Sequence, residues 1–226
     1  MLLADLRSTV AHYARQMATS GLVRATQGNI SARDPQSGLI CITPTGADYE
    51  TLGAKDIAVV NEHGDFVEGD WQPSSETPLH TLVLRKRRDI NCVMHTHSLY
   101  ASAFAVTYQR MPIVLAEAGA CLGKEIPIVP FSISGTQQFA QQVVEMLGDA
   151  PAILWGNHGA MVTGVTVPLT YSTAHALEDN ARIYAIAKQL GNPTILPDED
   201  IETLHQHWQQ NYHQATHTTQ DKAGGD

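Results

Sequence analysis

Two apolar runs in this chain end in histidine. Ile90-Asn91-Cys92-Val93-Met94 leads into His95-Thr96-His97, and Ala152-Ile153-Leu154-Trp155 is followed by His158. Successive side chains on an extended strand alternate between faces, so residues two apart point the same way. A His-x-His pair at a strand end can therefore aim two imidazoles at one point, and a later loop or strand end can add a third nitrogen. Three nitrogens with one position left open is the ligand count of a catalytic zinc site. Taken alone, His-x-His is more often a pair of half-buried polar residues.

The 226 residues are 43% hydrophobic, enough for one large domain or two small ones. A single domain over residues 1–215 is expected, with a polar, glycine-containing tail at 216–226 expected to be disordered. No stretch approaches the roughly 18 uninterrupted apolar residues of a membrane span. The start, Met1-Leu2-Leu3-Ala4-Asp5-Leu6-Arg7, lacks the layout of a signal peptide, so a cytoplasmic protein is expected. Cys41, Cys92 and Cys121 form no CxxC pair and read as buried thiols. A formal charge of −9 argues against a nucleic-acid partner. The basic run Arg85-Lys86-Arg87-Arg88 reads instead as a solvated helix terminus, where cations suit the dipole.

Leu2, Leu3, Leu6, Val10, Tyr13, Ala14 and Met17 recur at helical spacing, which predicts a helix over 2–19 stopped by Gly21. Residues 39–43 and 57–60 read as strands, the latter turning back through 66–68. Further helices are predicted from the Pro73–Pro78 segment through Leu84, and over 98–108, 137–147, 168–190 and 198–213. Residues 113–115 and 126–129 read as short strands, the second an edge strand because of its proline. Strands reached through hairpins, with helices in no strict alternation, predict a layered α/β domain whose sheet is mixed or antiparallel. GxGxxG and GxxxxGK[ST] are both absent, so no dinucleotide or P-loop fold has local support.

Glu76 sits in Pro-Ser-Ser-Glu-Thr-Pro at a helix start, where a carboxylate commonly serves only the helix dipole. The free N–H groups of such an end, with the Ser74 and Ser75 hydroxyls, would also suit a phosphate. Gly28-Asn29 and Thr45-Gly46 read as two more donor-rich turns, although each could be an ordinary one.

In chain order, Gly28-Asn29-Ile30-Ser31, Thr43-Pro44-Thr45-Gly46, Ser74-Ser75-Glu76, His95-Thr96-His97-Ser98 and Asn157-His158-Gly159 resemble the class II aldolase/adducin family. Its members include L-fuculose-phosphate aldolase and L-ribulose-5-phosphate 4-epimerase, and the resemblance runs from the first helix to about residue 190. It implies a three-layer α/β/α sandwich around a largely antiparallel sheet, and a homotetramer with active sites between subunits. It also implies a divalent metal, usually Zn2+ with Mn2+ or Co2+ as alternatives, on His95, His97 and His158. Glu76 matches the acid/base carboxylate, which can also contact the metal. Gly28, Asn29, Thr45, Gly46, Ser74 and Ser75 match the positions that hold the substrate phosphate.

The activity implied is reversible cleavage of a short ketose phosphate, L-fuculose-1-phosphate-like, to dihydroxyacetone phosphate and an aldehyde through a metal-stabilised enediolate. A 4-epimerase acting on an L-ribulose-5-phosphate-like sugar, or a dehydratase or decarboxylase of the same fold, is the alternative. The epimerases' aspartate falls on Ala120 and the fuculose-phosphate aldolases' tyrosine near Ala116, so both are missing. Glu117 is the nearest ionisable group and could act across an interface, or be an ordinary helix or loop carboxylate. Tyr212 falls near a C-terminal active-site tyrosine of the aldolases, or is simply an exposed tyrosine. A non-catalytic module, as in adducin heads, would have no reason to keep His95, His97, His158 and Glu76.

Overall fold

The computed structural model describes residues 1–220, with side chains through Asn211. Eight strands form one sheet in the order β4-β3-β2-β1-β5-β8-β7-β6. They are β1 (Asn29–Arg33), β2 (Ile40–Ile42), β3 (Ala58–Val60), β4 (Phe66–Glu68), β5 (Cys92–Thr96), β6 (Ile128–Val129), β7 (Ala152–Trp155) and β8 (Gly159–Gly164). Every neighbouring pair is antiparallel except β6 with β7, and β6 is an edge strand, as the proline before it predicts.

Helices cover both faces. Helices α1 (Ala4–Thr19), α3 (Leu99–Thr107), α4 (Ala116–Leu122) and α6 (Val167–Leu190) form one layer, with α7 (Asp198–Gln220) outside it on α4. Helices α2 (Thr77–Lys86) and α5 (Gln137–Leu147) cover the other face. Each face has its own apolar cluster, and strand residues alternate between them: Cys92 and Met94 lie in one, Val93 in the other. Strands buried on both faces read as unbroken apolar runs, which is why β5 and β7 stand out in the sequence. The result is the expected α/β/α sandwich. No described helix is long and apolar enough to cross a membrane.

Strand β1 was not expected, because three of its five residues are polar. All five are nevertheless buried. Asn29, Ser31 and Arg33 face α2 and hydrogen-bond groups spaced four apart at its start and along it: Glu76, the His80 ring, and the Leu84 carbonyl. Two strand residues advance about 6.8 Å and four helix residues about 6 Å, so the two rows stay in step.

Residues 113–115 are not the strand their apolar content predicts. The Val114 and Leu115 N–H groups donate to the buried Asn180 Oδ1, and Asn180 Nδ2 donates to the Pro112 carbonyl. With its backbone groups engaged by α6, this segment has no ladder to join. Helix α7 runs to Gln220, past the expected end at His213 and through 216–220, where a disordered tail was expected. No glycine or proline interrupts it before that point. The basic run closes α2 as expected: Arg87 donates to the Gly148 and Ala150 carbonyls, and Arg88 pairs with Glu62.

Candidate functional site

Antiparallel pairing of β5 with β8 places the end of the His-x-His strand beside the β7–β8 turn, with Thr96 opposite Ala160. That turn is tight. His158 N donates to the Trp155 carbonyl, and Asn157 adopts a left-handed conformation with φ 56°. Gly159 allows the close approach, since a β-carbon there would lie 2.3 Å from the Thr96 carbonyl oxygen. The consequence is a cluster in which one ligand atom from each of His95, His97 and His158 lies within 4.8 Å of the others.

The cluster presents lone pairs. His95 Nδ1 donates to the Ala160 carbonyl at 2.9 Å, which fixes the tautomer and leaves Nε2 unprotonated. His95 and His97 Nε2 are 2.9 Å apart, so a proton or a cation has to mediate between them. Burial, then the neighbouring imidazoles, holds His95 well below the usual histidine pKa. Burial likewise pushes His97 down to about 4 and lowers His158. Three neutral nitrogens at the ends of inner, paired strands suit a divalent cation. Trp155 stacks on His95 at 4.1 Å between ring centroids and fixes its plane. That role escaped the sequence reading, which took Trp155 only as a strand residue.

Glu76 stands at the N-terminal end of α2, almost fully buried, with Oε2 2.8 Å from Asn29 Nδ2 and 3.7 Å from His95 Nε2. Asn29 thereby spends its side-chain donor on Glu76, and its Oδ1 is buried without a partner. Two turns complete the site. Gly28 precedes β1, and Thr45-Gly46 follows β2, tied to the Gln72–Ser74 segment by Thr45 N to the Gln72 carbonyl and Ser74 N to the Thr43 carbonyl. One pocket of about 140 Å³ is lined by Gly28, Asn29, Thr45, Gly46, Ser74, Ser75, Glu76 and all three histidines. Thr26 and Pro44 complete its wall.

Glu117 does not reach this pocket within the chain. It lines a separate groove beside Ser172, Ala176 and Trp208. The side chain of Tyr212 lies outside the described residues. The His80 ring shares a hydrogen bond with the Ser31 hydroxyl through Nδ1 at 2.7 Å, and His80 meets Glu76 through its backbone N–H, which donates to the Glu76 carbonyl. The His205 ring bridges α7 to the Ala120 carbonyl of α4 at 2.7 Å.

Residues 8–185 match the family model of the class II aldolase and adducin N-terminal domain. The chain belongs to the class II aldolase/adducin family. Among its relatives is a 5-deoxy-D-ribulose 1-phosphate aldolase of Bacillus thuringiensis serovar kurstaki, 35% identical over 90% of this chain and 95% of the relative. The L-fuculose phosphate aldolase of Escherichia coli K12 is 32% identical over 84% and 87% of the two chains. A solved L-fuculose 1-phosphate aldolase superposes with a TM-score of 0.87 at 28% identity, covering 92% of this chain and 98% of that one. As a class II aldolase-family protein, the chain has a histidine cluster, carboxylate and donor-rich turns in one pocket, and the relatives supply the chemical context for them.

Proposed function

We propose that the protein is a divalent-metal-dependent lyase that reversibly cleaves a short ketose 1-phosphate to dihydroxyacetone phosphate and an aldehyde. The observation carrying this reading is the convergence, in one pocket, of three neutral imidazoles, a buried carboxylate and donor-rich turns. The substrates named for the two relatives are both ketose phosphates, and the more similar one is 5-deoxyribulose 1-phosphate.

His95, His97 and His158 would hold the cation, with Glu76 close enough to contact it. When bound there, a divalent cation such as zinc, manganese or cobalt would supply Lewis-acid chemistry at the ketose carbonyl. The chain's own groups do the rest. Neutral imidazoles leave the positive charge of the site undiminished. Glu76 moves the proton at C3 of the dihydroxyacetone-phosphate half, and Asn29 orients it. Gly28, Thr45, Gly46, Ser74 and Ser75 hold the phosphate with backbone and hydroxyl donors.

The same site could serve an epimerase, dehydratase or decarboxylase, since each begins at an enediolate. Ala120 in place of the epimerase aspartate favours the aldolase. On this reading the protein is a cytoplasmic homotetramer with active sites at subunit interfaces. Glu117 and Tyr212 are then the groups a neighbouring copy would bring.

The test is condensation. Zinc-loaded protein incubated with dihydroxyacetone phosphate and acetaldehyde should form a 5-deoxypentulose 1-phosphate. Interconversion of pentulose 5-phosphates with no condensation would instead establish the epimerase.

A further inference from the structure

The turns that form the anion cradle belong to different strands, and one buried phenol joins them. Tyr49 is 1% exposed, with its ring in the core on the α1 side of the sheet. Its hydroxyl donates to the Gly28 carbonyl at 2.7 Å and lies 3.1 Å from Thr43 Oγ1. Thr43 Oγ1 in turn accepts the Ile30 N–H at 3.1 Å, and Thr43 N donates to the Ile30 carbonyl. Tyr49 itself does not line the pocket. Burial raises its pKa, so the phenol stays protonated and acts as a donor.

Gly28 needs such a lock. It sits at φ 70°, and a β-carbon there would lie 2.4 Å from Val23 Cγ1 and 2.6 Å from the His95 carbonyl oxygen, so only glycine fits. Glycine's backbone freedom also lets the Gly28–Asn29 peptide turn over. In a trans peptide the carbonyl and the N–H point opposite ways. Turning the Gly28 carbonyl towards the pocket would set an acceptor against a bound anion.

We propose that Tyr49 is a positioning residue for the phosphate group of the substrate. By holding the Gly28 carbonyl out of the pocket and bracing Thr43, it keeps both donor turns facing the anion. The inference rests on the reading of this pocket as a phosphate site, and inorganic phosphate tests it without requiring turnover.

The experiment compares metal-loaded wild type with Tyr49→Phe. Inorganic phosphate binding is measured by calorimetry, and KM and kcat are measured with 5-deoxyribulose 1-phosphate. Tyr49→Phe should weaken phosphate about tenfold, the size of one lost hydrogen bond, and raise KM in step. The kcat should stay within about threefold, because the lock acts on binding shared by ground and transition states. Metal affinity should not change. Thr43→Val should shift phosphate affinity the same way while Thr43→Ser stays near wild type, and this pair carries the test if Tyr49→Phe fails to fold. A lower melting temperature with unaltered phosphate affinity would reduce Tyr49 to a structural residue and overturn the proposal. Wild type that binds no phosphate would overturn it together with the cradle. Wild type that binds phosphate but cleaves no ketose phosphate would refute the proposed function alone.

Discussion

Neighbouring residues of the site divide its work. The histidines hold their lone pairs inward because burial keeps them neutral, and Glu76 is aimed by Asn29. Glu76→Gln preserves the shape and the amide contact but cannot take a proton. It should retain metal, measured by elemental analysis, while aldol turnover falls roughly 10²- to 10⁴-fold. His97→Ala should instead lower metal affinity by more than about a hundredfold, exceeding the loss usual for outer-shell changes. A pH effect follows from His80, which burial pushes down to about 4 inside the core. The unfolded chain, with an ordinary histidine near 6.5, then binds the proton more readily than the folded one. Stability is therefore complete above about pH 6.5 and declines as pH falls towards 4, by roughly 3 kcal/mol at most for this group. Urea denaturation of chelated protein at pH 7.5 and pH 5 should show the decline, and His80→Asn should reduce it.

Elements legible in the sequence are those whose pattern matches a local rule. Helices α2, α3, α5 and α6, the β3–β4 hairpin and the buried strands β5 and β7 were all readable from periodicity or apolar runs. Metal-ligand candidates were legible because two such runs end in histidine. What escaped depends on partners remote in sequence. The polar row of β1 is silent until α2 lies across it, and Gly159–Gly164, made largely of small residues, lacks the bulk that marks β5 and β7. The converse error, residues 113–115, has the same origin, since one asparagine side chain replaces a strand partner. Asn180→Ala would strand two partly buried N–H groups and a carbonyl at that segment. It should cost about 2–4 kcal/mol, read as a lower midpoint in thermal or urea unfolding. The phosphate turns were visible as Gly28-Asn29 and Thr45-Gly46, yet Tyr49 behind them was not, because a lone tyrosine in a loop carries no pattern.

At the scale of the whole molecule, the pocket is an open site at the ends of the inner strands of a single sheet. Large apolar side chains remain exposed, among them Leu99 at 58% and Phe131 at 63%. Leu99 begins α3 directly after the His-x-His strand, and the Phe131 N–H is tied to the Tyr108 hydroxyl at the end of that helix. Burying this side against further copies suits the proposed tetramer, and sedimentation should give a particle four times the 24.6 kDa chain. A monomer at micromolar concentration would oppose it. The central claim concerns metal and carbon–carbon cleavage together, and release of dihydroxyacetone phosphate from 5-deoxyribulose 1-phosphate reads both. Assayed on one preparation as purified, after chelation, and after zinc is restored, release should be present, then abolished, then recovered in proportion to metal bound at one site per chain. Undiminished release from fully chelated protein would contradict it.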